Sequence, residues 1–296
     1  MLLPSLSAGA FLLSRKPMLL AVDIGNTNIT LGLFREGQCV FFGRLASHTR
    51  RTADEYAILT RQLLELRGIP YQDVHAVVIG SVVPALTGVL DEAVYLALGL
   101  QAFNVTHIVR LPVRNLYAKP GEVGIDRIAN AAGGIVRHGA PLLVVDLGTA
   151  VTIDVLSRHR EYLGGAILPG IAMSSEALSR GTARLPLAKP RMPDQAIGRT
   201  SVESIRSGIM HGLVGAIDHL IELIWQELGY ETAIVATGGQ APAIIAASRH
   251  VRIDDPEITL YGLAAIWALN HDSAGNRIPP DGPASDPQIK PAPAQE

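Results

Sequence analysis

Apolar and polar positions along the chain fall into two similar stretches. In "LLAVDIGNTNIT", residues 19–30, an apolar run ends on Asp23, Gly25 follows two places later, and small polar residues lead into a second alternation, "ITLGLF". "LLVVDLGTAVTI", residues 142–153, follows the same order and runs on as "VTIDVL". Asp23 and Asp146, Gly25 and Gly148, and Asn26 and Thr149 are each 123 positions apart (146−23, 148−25, 149−26). Each stretch then meets a polar turn, "REGQ" or "SRHRE", and a third apolar segment, "CVFFGRL" or "YLGGAIL". Alternation at period two, broken by turn residues, predicts a hairpin-led unit in each half.

Helical spacing takes over after each hairpin. "TADEYAILTRQLLELRG" has a capping box in Thr52 and Glu55 and a C-terminal stop at Gly68. "AVVIGSVVP" reads as a buried strand, "PALTGVLDEAVYLALG" as a helix with proline in its first turn, and "AFNVTHIV" as a strand. "DRIANAAGGIVRHG" is a helix ending at Gly139. In the second half, "GIAMSSEALSRG" is a short helix and residues 182–199 are a proline-punctuated loop. "SVESIRSGIMHGLVGAIDHLIELIWQELG" is a long amphipathic helix, "TAIVATGG" a strand closed by glycines, and "EITLYGLAAIWALN" the last helix. The expectation is an α/β protein of two lobes, residues 18–139 and 140–270, each a mixed sheet with flanking helices.

Composition narrows the picture in a few places. With 296 residues, 48% hydrophobic, the chain is long enough for one large or two ordinary domains. A formal charge of −2 gives no argument for nucleic acid or an anionic membrane surface. Cys39 is the only cysteine, which excludes an intramolecular disulfide and a cysteine metal cluster. Residues 1–17 are apolar, but their basic pair Arg15–Lys16 follows the apolar run, the wrong order for a signal peptide. A disordered leader or an upstream start is expected there. No apolar run reaches the ~18 residues of a membrane helix, so no membrane partner is expected. Residues 271–296 hold six prolines and read as a disordered tail.

A carboxylate at a strand end, followed by glycine and small polar residues, has specific chemistry. Glycine lets backbone approach a ligand, and Asn26, Thr27 and Asn28 offer donors to phosphate oxygens. Asp23 would repel phosphate directly, so a cation or water must lie between. Two facing copies would grip one polyphosphate from both sides. No Gly-Lys-Ser/Thr phosphate loop and no dinucleotide fingerprint occur. His211 and His219 lie near Asp218, but without a third clear ligand they read as packing or surface.

The paired turns, with "TGG" at residues 237–239, resemble the actin and sugar-kinase superfamily and its duplicated ribonuclease-H-like domains. Within it, "DIGNTN", "SVVP" at Ser81, "EVGIDRIANA" from Glu122, "DLGTAVTIDV", "GGAILPGIAMS" and "LYGLAAIW" are similar to type III pantothenate kinases, over residues 18–270. The resemblance implies ATP-dependent phosphorylation of pantothenate to 4′-phosphopantothenate, the first step of coenzyme A synthesis, by a cytoplasmic homodimer with no nucleic-acid partner. It implies Asp126 as the base in Gly124-Ile125-Asp126-Arg127, where the family's alanine is replaced by Ile125. Gly124, Ile125, Arg127 and Tyr117 would contact pantothenate. Asp23, Ile24, Gly25, Asn26, Thr27, Asn28, Ile29 and Thr30 would form the first ATP hairpin, with Thr149 in the second. Mg²⁺ would accompany ATP, and Asp146 would bind a monovalent cation, K⁺ or NH₄⁺. Ser201 stands where the family has a threonine, and its plain physical reading is a helix N-cap. From the residues alone, the plain reading of Asp126 is an ordinary first-turn aspartate and of Tyr117 a packing residue, and Arg127 is equally a solvent salt bridge. The alternative to the kinase is a non-enzymatic regulatory protein like the Bvg accessory factors, which share the fold.

Overall fold

The computed structural model describes residues 17–279. All but the last residue of the expected leader, and the tail beyond Pro279, lie outside the described residues. The first sheet is built from β1 (Met18–Ile24), β2 (Asn28–Arg35), β3 (Gln38–Ala46), β4 (Val74–Ser81) and β5 (Phe103–Asn104), in the order β3-β2-β1-β4-β5. β1 pairs antiparallel with β2 and parallel with β4; β2–β3 is antiparallel and β4–β5 parallel. The second sheet contains β6 (Arg114–Asn115), β7 (Leu142–Leu147), β8 (Ala150–Leu156), β9 (Glu161–Pro169), β10 (Ala233–Thr237) and β11 (Ile253–Asp254). Its order is β11-β10-β7-β8-β9-β6. Without β6 this is the first sheet over again, with the same parallel and antiparallel pairings. β1, β4, β7 and β10 are covered on both faces, which is why their sequences are near-continuous apolar runs.

Strand register corrects the alignment of the two halves. Asp23 pairs with Thr30, but Asp146 pairs with Thr152, so the offset drops from 123 to 122 (152−30) beyond the turn. The second turn is one residue shorter, and Thr149 answers to Thr27 rather than Asn26. The strand expected over residues 102–109 shrinks to Phe103–Asn104, because a turn closed by Val109 N–H on Thr106 O follows.

α1 (Ala53–Leu66), with the expected capping box at Thr52 and Glu55, and α2 (Pro84–Leu98) cover the outer face of the first sheet. α4 (Ile171–Gly181), α5 (Ser201–Leu228) and α6 (Ala241–Ile245) belong to the second sheet's outer side. Among the described residues, α5 is the one helix long and apolar enough to cross a membrane, although charged and polar residues interrupt its sequence so that no unbroken apolar run of ~18 residues exists. Its apolar face, Met210, Leu213, Val214, Ile217 and Ile221, is buried in the core of the second sheet.

α3 (Ile125–His138) and α7 (Ile258–Asn270) form the layer between the sheets. α7, last in the chain, packs on β1, β2 and β4 of the first sheet, while α3 touches β4, β7 and β8. The two helices cross with their backbones in contact. A Cβ on Gly133 would stand 2.9 Å from Gly262 N, and one on Gly262 2.9 Å from Gly133 N. The chain also crosses between sheets early, since β6 pairs parallel with β9. After α7, residues 271–279 form a turn bridged by His271 and Arg277.

Candidate active site

Asp23 and Asp146 are the penultimate residues of β1 and β7, so the duplication places two equivalent carboxylates at the same strand ends. Asp126, in the first turn of α3, lies within electrostatic reach of both. Burial and these like charges push Asp23 up to about 8 and, despite a hydrogen bond from Asn130, Asp146 up to about 6. Asp126 is also raised by burial, against the pull of the Arg127 amide and charge. Its carboxylate accepts from Arg127 N at 2.7 Å. A Cβ on Gly124 would meet that carboxylate and push it aside, so glycine there leaves the Asp126 side chain in its place.

The turns face each other directly. Thr27 Oγ1 and Thr149 Oγ1 are 3.0 Å apart, and both residues are exposed. Ser47 supports the first turn by donating from Oγ to Gly25 O at 2.6 Å and from its amide to Thr27 O at 3.0 Å. Asn26 and Asn28 are exposed beside Thr27, and Thr30 is half-buried. The side chains of Ile24 and Ile29 are fully buried in the first core, which leaves their backbones as the groups that can face a ligand.

A second cluster lies on the other side of α3. Arg127 is 8% exposed and donates from Nε at 2.8 Å and Nη2 at 2.7 Å to Asp154 Oδ1. Tyr162 donates its hydroxyl to the same oxygen at 2.8 Å, and Asp154 and Tyr162 are fully buried. Arg127 is therefore in a buried ion pair, not the solvent salt bridge that spacing alone suggested. Tyr117 is half-buried with its ring 6.3 Å from that of Tyr162. It lies over Gly164, whose φ is +121° and where a Cβ would stand 3.2 Å from the Tyr117 ring. Ile125 is buried against Gly80 and adds no polar group to the site.

Ser201 belongs to a different surface. It lines an apolar groove of about 1050 Å³ between α4, α5 and the end of β9, whose walls include none of the three aspartates. It is not the N-cap of α5; Thr200 is, in a capping box with Glu203.

The donor sets suit the ions a phosphotransferase needs. Among the described residues no three His, Cys, Asp or Glu side chains gather to hold a metal by themselves. Mg²⁺ keeps waters and takes one or two carboxylates together with substrate phosphates, and Asp23, half-buried at its strand end, is a donor of that kind. Asp146 Oδ1 lies between Gly148 and Gly238; a Cβ at Gly148 would stand 3.3 Å and one at Gly238 2.9 Å from it. The Gly238 Cβ would also stand 2.7 Å from Leu147 O. Glycine at both positions lets the backbone pack close to Asp146 Oδ1 and the Leu147 carbonyl; carboxylate and carbonyl oxygens are hard donors suited to a hard cation.

A family model for type III pantothenate kinase matches residues 19–223. The chain belongs to the type III pantothenate kinase family. Relatives bearing that name are 44% identical over 256 residues in Finegoldia magna, spanning 86% of this chain and 98% of the relative. In Myxococcus xanthus the figures are 42% over 256 residues, 86% and 100%. Among solved structures, a Baf family transcriptional activator from Campylobacter jejuni is 21% identical with a TM-score of 0.54, across 83% of this chain and 96% of that one. That likeness concerns the fold alone.

Family membership gives the unusual protonation of Asp23 a testable consequence. Its folded pKa of about 8 lies above the ordinary 3.8, so folding favours the protonated acid. That contribution to stability is complete below about pH 4 and is lost as pH rises through about 8. Asp23→Asn removes the liability, so the ligand-free variant is expected to melt above wild type at pH 8.5, with the advantage shrinking toward pH 5. Thermal melts over that range check it; equal midpoints at pH 8.5 would show that Asp23 ionises without strain.

Proposed function

We propose that the chain performs its family's reaction at the seam between the two sheets, with ATP held by the paired turns and pantothenate against α3. The observation that carries this is the convergence of Asp126 with the two turn carboxylates, beside turn tips that touch. Phosphoryl transfer needs positioning and charge neutralisation more than covalent chemistry. Asn26, Thr27, Asn28 and Thr149 offer exposed donors on either side of the polyphosphate. Mg²⁺ bound with ATP would supply charge neutralisation for the phosphates, and Asp23 would hold that ion or its water. Asp126 accepts the proton of the primary hydroxyl as its oxygen attacks the γ-phosphorus in line and the bond to ADP breaks. Arg127 and Tyr117 form the pantothenate wall. Asp146 Oδ1 would hold K⁺ or NH₄⁺ beside Gly148 and Gly238.

The reading includes a homodimer in a cytoplasmic setting. The apolar groove along α5 is the surface a second copy would cover, with exposed Leu178 and half-buried Ile209 on its walls. Ser201 on that groove would then reach substrate from the neighbouring subunit. A purely regulatory role is not favoured, because Asp23, Asp126 and Asp146 are all present and Asp126 is close enough to raise the other two.

The test is direct. Purified protein should convert ATP and pantothenate to ADP and 4′-phosphopantothenate, more rapidly with potassium than with choline as the counter-cation, and run at twice the chain mass by light scattering. No turnover under either salt would end the kinase reading; a monomer with full activity would end the role given to Ser201.

A further inference from the structure

The crossing of α3 and α7 does more than join the sheets. Asn130 and Thr259 stand three residues before Gly133 and Gly262 (133−130, 262−259), one turn along from the backbone contact. That close approach lets Thr259 Oγ1 donate to Asn130 Oδ1 at 2.6 Å. Asn130 Nδ2 in turn donates to Asp146 Oδ2 at 2.9 Å. The orientation of the amide follows from chemistry: a carboxylate needs a donor, so the nitrogen faces Asp146 and the oxygen faces the hydroxyl. The relay runs through α7, α3 and β7 with Asn130 completely buried at its centre.

Its neighbours on α3 are Ala129, Ala131, Ala132, Gly133 and Gly134, all buried. A polar amide in such a stretch adds desolvation without filling volume better than an apolar residue would. Its use lies in what it holds. With Oδ2 engaged by Asn130, Asp146 turns Oδ1 toward Gly148 and Gly238. Asn130 is also four residues beyond Asp126 on the same helix face, so one rigid helix carries both the proposed base and the group that anchors Asp146.

We infer that Asn130, backed by Thr259, is a positioning residue that presents Asp146 Oδ1 to the monovalent cation and sets the cation's place relative to Asp126. The inference rests on the reading of Asp146 as the cation ligand.

Potassium titrations of wild type, Asn130→Ala, Thr259→Val and Thr259→Ser test it by two readouts. One is the potassium concentration giving half-maximal activity at saturating ATP and pantothenate. The other is the rise in thermal midpoint on adding potassium to the ligand-free protein in choline chloride. Outer contacts to metal ligands typically carry about 10–100-fold in affinity. Asn130→Ala should therefore raise the half-activating concentration by about that factor and erase the potassium-dependent rise in midpoint. Thr259→Val should shift both in the same direction by less, Thr259→Ser should behave as wild type, and the pantothenate KM should stay within about threefold throughout. Unchanged potassium responses in Asn130→Ala and Thr259→Val overturn the inference. So does Thr259→Ser matching Thr259→Val, which would make the contact one of packing. If Asn130→Ala does not fold, the Thr259 pair decides. A wild type indifferent to potassium by both readouts removes the cation from Asp146, and this inference with it.

Discussion

Asp126→Asn is expected to lower kcat by about two to four orders of magnitude, the range a positioned general base contributes, and to leave the fold intact. Asparagine keeps the volume and can still accept from the Arg127 amide, which now reaches the carboxylate at 2.7 Å. It cannot take the substrate proton. It also removes a negative charge that raises the pKa of both Asp23 and Asp146, so the variant should melt no lower than wild type. The pH profile gives an independent check. Burial raises Asp126 above the ordinary carboxylate range, and only the ionised form is a base. The acid limb of kcat/KM should therefore fall at a higher pH than a free carboxylate would give, with activity lost as pH drops through the raised pKa. In Asp126→Asn that limb should be missing from any residual rate. Near-normal turnover would remove Asp126 as the base.

The strand ends were legible in the sequence because a buried strand leaves a local trace. "LLAVD" and "LLVVD" are apolar runs that stop on a carboxylate, and the same local pattern delivered the equivalence of Asp23 and Asp146. The capping box at Thr52 and Glu55 was equally local. What escaped depends on distance along the chain. One residue fewer in the second turn changes which threonine meets which, and only strand pairing reveals it. Asp154 did leave a trace, as a lone acid inside the apolar run "VTIDVL", but its partner Arg127 is 27 residues away on another element. Asn130 and Thr259 are 129 residues apart and meet only because two glycines let α3 and α7 touch. β6 is two residues long, too short for any periodicity.

Those long-range contacts share one element. α3 carries Asp126 toward the turns, Asn130 toward Asp146 and Arg127 toward Asp154. Its first two turns therefore serve the proposed base, the proposed cation ligand and the proposed pantothenate wall together. An i, i+1, i+4 pattern of polar residues opens a helix that is otherwise apolar as far as its basic last turn. It becomes intelligible once the helix is seen to run between two sheets, with a different neighbour on each side.

Asp154→Ala should have the largest effect on stability. Burial pushes the Asp154 pKa up to about 6 even though Arg127 and Tyr162 pull it down, so the carboxylate is ionised at neutral pH and paired with a guanidinium that is 8% exposed. Removing it leaves Arg127 charged inside the protein and Tyr162 without its acceptor. Breaking a buried pair from one side typically destabilises by about 3–5 kcal/mol. For a chain of this size that corresponds to a thermal midpoint lower by roughly 10 °C. The double variant Asp154→Leu with Arg127→Met should recover most of the loss, because an apolar pair can replace a buried ion pair at little net change. It should not recover pantothenate turnover, since the double variant lacks the guanidinium proposed to face the substrate. Thermal melts and steady-state kinetics on the three proteins separate the two roles. If the double variant regains both stability and the wild-type pantothenate KM, the Arg127–Asp154 pair is a piece of core packing and the pantothenate wall must be sought elsewhere. If it regains stability alone, the buried pair is there for the substrate, and the carboxylate of Asp154 is what keeps Arg127 straight and in place at the edge of a site that would otherwise expel it.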